Sequence, residues 1–348
     1  MAEPQPSPQE RAPTVAPELT VVIVSYNTRD LTLVALRSLL ATTRRTSMRV
    51  IVFDNASQDG SADAIAAAFP GVELIRSAEN LGFARANNEV IARATSEWIL
   101  LLNPDTECHE GAVDNLMAFA RAHPEAGIYG GRTVFPDGRL NIASCWNRIT
   151  PWSSFCRMTG LFSLFSGSEF FNPEGIGGWK RDTVRHVDIV VGCFMLLRRE
   201  LWNRLGGFDL KYFMYGEEAD LCLRARRLGF HPMITPDAEI MHIVGAAMNV
   251  QSDKLAPVHK ARATLIRDHW PAWQVPFGLA MMWLGVGARV IGTSLVGAVV
   301  GGRVAQRARA YRAFWAKRRD WLGGYRAAQG RDPDGGPVPA VPPGRPGA

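Results

Sequence analysis

Leu19-Thr20-Val21-Val22-Ile23-Val24-Ser25-Tyr26 is an almost unbroken run of apolar and β-branched residues. A strand reads this way when helices cover both faces of a parallel sheet, so that neither face needs a polar stripe. The pattern then alternates. Apolar positions at Leu31, Val34, Leu36, Leu39 and Leu40 predict a helix from Asp30 to about Thr42. Residues 48–53 predict a second strand, ending in Asp54-Asn55-Ala56-Ser57. An Ala-rich helix over 61–69, a third strand over 72–76, a helix over 82–95 and a fourth strand over 98–102 follow. The alternation predicts an α/β fold, a doubly wound Rossmann-like sheet with helices on both faces.

In such sheets ligands bind beyond the strand ends, and polar clusters sit there in this chain. Asp54 can accept hydrogen bonds from a base or ribose, or it can cap the next helix. Asn80-Leu81-Gly82-Phe83-Ala84-Arg85-Ala86-Asn87-Asn88 joins a flexible glycine to amides and an arginine. Arg85 suits a phosphate there, or is a solvated helix residue. Asn103-Pro104-Asp105 ends a wholly apolar strand, where an acid can hold a hard divalent cation on a diphosphate or make an ordinary turn. Gly175-Ile176-Gly177-Gly178-Trp179 is glycine-rich, but no G-x-G-x-x-G follows the first strand. That weighs against a dinucleotide-dependent oxidoreductase. His242 stands alone in apolar company, as a core histidine or a ligand. Residues 212–224, YFMYGEEADLCLR, place Glu217, Glu218 and Asp220 within four positions. Adjacent carboxylates raise each other's proton affinity, which tunes a general base toward neutral pH; a helix N-terminus also favours acids.

With 348 residues, 47% of them hydrophobic, the chain can bury a sizeable core in one large domain with appendages. Residues 1–18 are Pro-rich and polar, a disordered leader and not a signal peptide, and 332–348 read as a disordered tail. Five cysteines without C-x-x-C spacing suit reduced thiols in the cytoplasm. Of the net charge of +6, the segment 303–331 carries nine basic residues against one acid, Asp320, so the body without it is slightly acidic. No nucleic-acid-binding motif accompanies that charge. Residues 275–300 are apolar and about long enough to cross a bilayer. The central Arg289 makes a shallow hairpin or in-plane segment the better expectation. Val304, Ala308, Tyr311 and Trp315 recur at helical spacing within the basic stretch. They predict an amphipathic helix on anionic lipid, or alternatively one packed in a homo-oligomer.

Six motifs occur in order: VVIVSYN (21–27), VFDNASQDGS (52–61), NLGFARANN (80–88), LLNPDT (101–106), GCFMLLRRELWNRLGGFD (192–209) and YGEEADLCLR (215–224). Over about residues 19–250 the chain resembles the inverting family 2 glycosyltransferases of GT-A fold, in their rhamnosyltransferase-like branch. The resemblance implies a nucleotide-sugar half (19–106), an acceptor half (107–250), and a C-terminal helical, membrane-associating segment (251–331). It implies that Ser25, Tyr26, Asn27 and Asp54 hold the nucleotide of the donor, with Asn80, Gly82, Arg85 and Asn88 lining the same pocket. Asp105 corresponds to the acid that binds Mg2+ or Mn2+, and His242 to a histidine that completes the metal shell. Glu218 occupies the place of the catalytic base, where the family has a shorter Asp, with Glu217 and Asp220 shaping the acceptor site. Gly207, Phe208 and Asp209 would form the turn where the acceptor hydroxyl arrives. The implied reaction moves a sugar, best L-rhamnose from dTDP-rhamnose, to a lipid-linked or polysaccharide acceptor at the inner membrane surface. The alternatives are an inactive nucleotide-sugar-binding scaffold and a basic nucleic-acid-binding protein.

Overall fold

The computed structural model describes residues 16–243 and 255–325. The expected leader and tail, residues 326–331 of the basic segment and the boundary at 250 therefore lie, wholly or mostly, outside the described residues. Strands β1 (Leu19–Ser25), β2 (Met48–Asp54), β3 (Glu73–Arg76) and β4 (Trp98–Leu102) run parallel in the spatial order β3-β2-β1-β4. Helices α1 (Arg29–Thr42), α2 (Ser61–Ala68) and α3 (Gly82–Ile91) connect them. Every residue of β1 and β4 is buried. Val21 and Ile23 join a core with Leu36 and Leu39 of α1, whereas Val22 and Val24 join the opposite core with Ala86 and Val90 of α3. The strand alternation thus feeds two helical layers. Helix α3 stops four residues short of the expected end. There the Arg93 and Ala94 amides bond three residues back, to Val90 and Ile91, tightening the last turn.

The chain steps outward to β3 and then returns to the far side of β1, so a crevice opens between the carboxyl ends of β1 and β4. Beyond β4 the sheet becomes mixed. The next elements are β5 (Thr106–Cys108), α4 (Ala112–Ala122), β6 (Ile128–Val134), β7 (Leu140–Asn141) and β8 (Cys145–Trp146). After α5 (Pro151–Thr159) and α6 (Leu161–Leu164) come β9 (Arg185–His186), β10 (Ile189–Val190) and β11 (Phe194–Arg198). Then follow α7 (Arg199–Leu205), α8 (Glu217–Arg227) and β12 (Met233–His242). Strand β11 lies antiparallel between β4 and β6, and β12 and β5 extend the sheet beyond β6. All five cysteines are free and buried.

After α9 (Leu255–His269) a 3-10 turn (Ala272–Gln274) leads into α10 (Val275–Val300), α11 (Gly302–Ala316) and α12 (Arg318–Gly323). Ala263, Ile266, Met282, Val286, Phe314 and Trp321 form a third core among them. Helix α10 is continuous through Arg289, and the hairpin turn comes later, at Gly301 and Gly302, both with positive φ. A Cβ at Gly297 would stand 3.0 Å from Ala305 Cα, so glycine is what lets α11 fold back this closely. Arg289 points inward: its guanidinium donates to the carbonyls of Gly285 (2.7 Å) and of Arg157 in α5 (2.9 Å). Residues 272–300 are long and apolar enough to cross a membrane by length and composition. Arg157 and Arg262 also converge on the buried Glu174. Burial opposes its charge, yet the two guanidiniums hold the carboxyl down at about 2.

Candidate active site

The carboxyl ends of β1 and β2 meet the start of α3 in one polar network. Asp54 is buried; Oδ2 accepts the Ser57 amide at 3.2 Å, and Oδ1 is buried with no hydrogen-bond partner. Such an atom is expensive to leave unmet, and a base or ribose hydroxyl is the group it suits. Asn27, in left-handed backbone at φ 51°, donates its amide to Ser57 Oγ and accepts the Gln58 amide on its side chain. Asn55 bridges to Asn80 Oδ1 (2.8 Å) and to the Leu81 amide (2.7 Å), and Asn80 accepts the Gly82 amide. Tyr26 is exposed beside this network. The Ser25 hydroxyl is taken up by Thr28 and Thr32, so it fixes the turn after β1. Arg85 lies 3.4 Å from Glu89 on α3. The Asn88 amide donates to the Phe208 carbonyl (2.9 Å) and accepts the Phe208 amide (3.0 Å), so it ties α3 to the turn at 205–208.

Across the crevice, Asp105 Oδ1 stands 3.3 Å from His242 Nε2 at the end of β12. Burial works against charge on His242, but Cys193 and Asp105 outweigh it and push its pKa up to about 10. The turn is pinned by the Asn103 amide on the Cys193 carbonyl (3.1 Å) and by the Ile243 amide on the Asp105 carbonyl (3.0 Å). The residue before Cys193 leads to the acids: a Cβ at Gly192 would lie 4.0 Å from Glu218 Cβ and 3.4 Å from the Phe83 ring. Gly192-Cys193 thus touches Glu218 on one side and the Asn103-Pro104-Asp105 turn on the other.

Helix α8 opens on these acids after Gly216, at φ 95°. Glu217 is buried, Oε2 has no hydrogen-bond partner, and burial followed by the Glu218 charge raises its pKa well above the ordinary value. Glu218 is half-buried, and its pKa is raised by desolvation. Asp220 turns away. Burial alone would raise it, yet His269 Nε2 (2.9 Å) and Arg224 Nε (2.7 Å) hold it low. Through Arg224, which also donates to the carbonyls of Leu205 and Gly207, Asp220 braces the turn at 205–208. Gly207 has φ +72°, and a Cβ there would come within 2.8 Å of Asn88 Oδ1. Phe208 is buried against Trp202 and Phe83. Asp209 pairs with Lys211, which reaches Asp268 as well.

Residues 20–206 match the profile of the glycosyl transferase family 2. The chain belongs to that family. It is 28% identical over 284 residues to N-acetylglucosaminyl-diphospho-decaprenol L-rhamnosyltransferase of Mycobacterium tuberculosis, covering 73% of this chain and 86% of the relative. Rhamnosyltransferase WbbL of Escherichia coli is 31% identical over 170 residues, 46% of this chain and 60% of that one. Among solved structures, a mannosyltransferase of Pyrobaculum calidifontis in complex with GDP-Man and Mn2+ superposes with a TM-score of 0.51. It is 20% identical and covers 91% of this chain and 88% of its own. The GalNAc-T7 structure with UDP, GalNAc and Mn2+ gives a TM-score of 0.54 at 14% identity, covering 90% and 58%. The protein is thus a GT-A glycosyltransferase, rhamnosyltransferase-like, of glycan synthesis.

Whether this family 2 enzyme can hold a cation is a question for its donor set. Among the described residues no group of three or more His, Cys, Asp and Glu side chains is placed to hold a metal. Asp105 presents a hard oxygen, which suits Mg2+ or Mn2+ if diphosphate oxygens supply further ligands, and His242 would offer Nε2, better matched to Mn2+, once a bound cation displaced its proton. Sequence reading missed His269, Lys211, Asp268 and the Gly192-Cys193 link. Only Asp220–Arg224, four apart on a helix, carried a sequence signal.

Proposed function

We propose that this glycosyltransferase moves L-rhamnose from dTDP-rhamnose to a hydroxyl of a lipid-linked or polysaccharide acceptor of the cell envelope, with inversion. The observation that carries the reading is that Glu218 packs beside Gly192, while the next residue, Cys193, accepts the Asn103 amide from the turn that carries Asp105. The name of the Mycobacterium tuberculosis relative supports rhamnose and a lipid diphosphate acceptor. Asp54, Asn27 and the Asn55–Asn80 network hold the nucleotide in the crevice. Asp105 and His242 are the residues that would hold a divalent cation, which would neutralise charge on the departing diphosphate. Glu218 takes the acceptor hydroxyl proton as the oxygen bonds to the anomeric carbon. The carbon–oxygen bond to the diphosphate breaks on the opposite face, its electron pair leaving with the nucleotide. Asp220, Arg224 and Asn88 hold the 205–208 turn against which the acceptor lies.

The same reading places the enzyme in the cytoplasm, on the inner face of the membrane. Trp273 of the 3-10 turn and Phe277, Leu284, Ile291, Leu295 and Val299 along α10 are exposed, as are Arg303, Arg307, Arg309 and Arg312 along α11. The inward Arg289 and the docking of α10 on α5 favour a helix lying in the interface over one crossing it. A donor screen by nucleotide release, with N-acetylglucosaminyl-diphospho-polyprenol and Mn2+ or Mg2+, tests the function. Release from dTDP-rhamnose alone, abolished by chelator, is expected; no release from any donor overturns the reading.

A further inference from the structure

The loop ahead of the catalytic pair is an unfavourable conformation held from outside. Tyr215 has φ 66° and Gly216 φ 95°. A non-glycine residue in left-handed backbone is strained and persists only where surroundings over-determine it. Helix α9 supplies part of the grip. The Tyr212 hydroxyl donates to Asp268 Oδ2 at 2.9 Å, and a Cβ at Gly216 would meet Ala261 Cβ at 3.1 Å. The remainder comes from the far end of the described chain. The Tyr325 hydroxyl donates to the Met214 carbonyl at 2.6 Å, and its ring meets Tyr212 edge-on with centroids 6.1 Å apart. Tyr325 is itself anchored, its amide donating to Thr264 Oγ1 at 2.7 Å. Just before it, α12 is fixed to α9 by Lys260–Asp320 (2.8 Å) and by Arg267 on the Leu322 carbonyl.

We propose that Tyr325 is a positioning residue for sugar transfer: it clamps Met214 so that Glu217 and Glu218 enter the site in register, coupling the C-terminal helical hairpin to the base. The inference rests on the role of Glu218 proposed above. The hydroxyl bonds the main chain itself, three residues before α8 begins, and no other described hydrogen bond reaches the Met214 carbonyl. Burial raises its pKa, so it stays a donor across the working pH range.

The test compares the full chain with Tyr325→Phe, which keeps the ring and removes the hydroxyl's bond to Met214 and its longer contact with the Pro257 carbonyl (3.5 Å), and with Thr264→Val, which frees the Tyr325 amide. In hydrogen exchange read by mass spectrometry, peptides covering 212–217 should exchange about tenfold faster in Tyr325→Phe, with β1–β4 unchanged. In transfer assays kcat should fall about tenfold while KM for the nucleotide-sugar stays put. Thr264→Val should show the same pattern at smaller size. Unchanged exchange at 212–217, or faster exchange spread over the whole sheet, overturns the proposal. The exchange arm needs no substrate, so a wild type that transfers no sugar would sink the functional reading and still leave Tyr325 decided.

Discussion

Two adjacent carboxyls on one helix end need not do the same work. Glu218 is the better placed, beside Gly192, whereas Glu217 is sealed from water with an oxygen unmet. Glu218→Gln should lower kcat by about 10²–10⁴-fold with donor affinity retained, read by nucleotide release and by calorimetry. An equal loss confined to Glu217→Gln would move the base one residue. Because the pKa of Glu218 is raised, its carboxylate forms only above the usual Glu range, so the acid limb of kcat should lie above that of an ordinary glutamate. Glu217 bears on stability. Its folded pKa exceeds its unfolded one, so its favourable contribution is complete below the unfolded value and is lost as pH rises through the folded value. Glu217→Gln should therefore raise Tm by about 1–3 °C at pH 8 and leave it unchanged at pH 4.

Buried ion pairs in the connecting elements carry a different sign. Glu174 joins α5 to α9 through Arg157 and Arg262. Truncating one member leaves uncompensated buried charge, so Glu174→Gln should cost about 3–5 kcal/mol in guanidinium unfolding. Since the Glu174 carboxyl sits at about 2, its contribution is present above the ordinary carboxylate range and is lost as pH falls toward 2. Nothing in the sequence announced this triad, whose members lie far apart in the chain. The parallel half was legible, because strands buried on both faces carry their signal in every residue, as β1 and β4 do. The other half was not. Strands of two residues, such as β7 and β10, have no periodicity, and their pairing is set by partners distant in sequence. Asp54, Asp105, His242 and Glu218 stand out in the sequence because acids and a histidine at strand or helix ends are conspicuous beside apolar runs. Asn88, Phe208 and Asp220 looked like site residues, but their side chains are engaged in bracing the turn. Tyr325 meets the loop across 111 positions, within a basic segment that otherwise reads as a surface helix.

At the scale of the whole molecule, charge and apolar surface are segregated to one end. The outer face of α10 leaves Ile291, Leu295 and Val299 between 64% and 87% exposed, and Trp273 stands out just before it, more apolar surface than a solvated helix shows without a partner. Beside it α11 presents a basic face, while the inward face of α10 is occupied by α5, α9 and α11. A bilayer of anionic lipid matches both surfaces at once: the apolar stripe enters the acyl boundary and the arginines meet headgroups, each worth about 1 kcal/mol. Co-sedimentation with phosphatidylglycerol vesicles should therefore be strong at low salt and weaker as salt screens the headgroups, with little binding to phosphatidylcholine alone. Arg307→Glu with Arg312→Glu should weaken it by at least about thirtyfold, the equivalent of about 2 kcal/mol. Ile291→Glu with Leu295→Glu should abolish it without altering donor affinity, since neither side chain approaches the crevice. Binding that survives this pair would assign the stripe to a second copy of the chain, and sedimentation equilibrium of the same variant would then show the dimer lost.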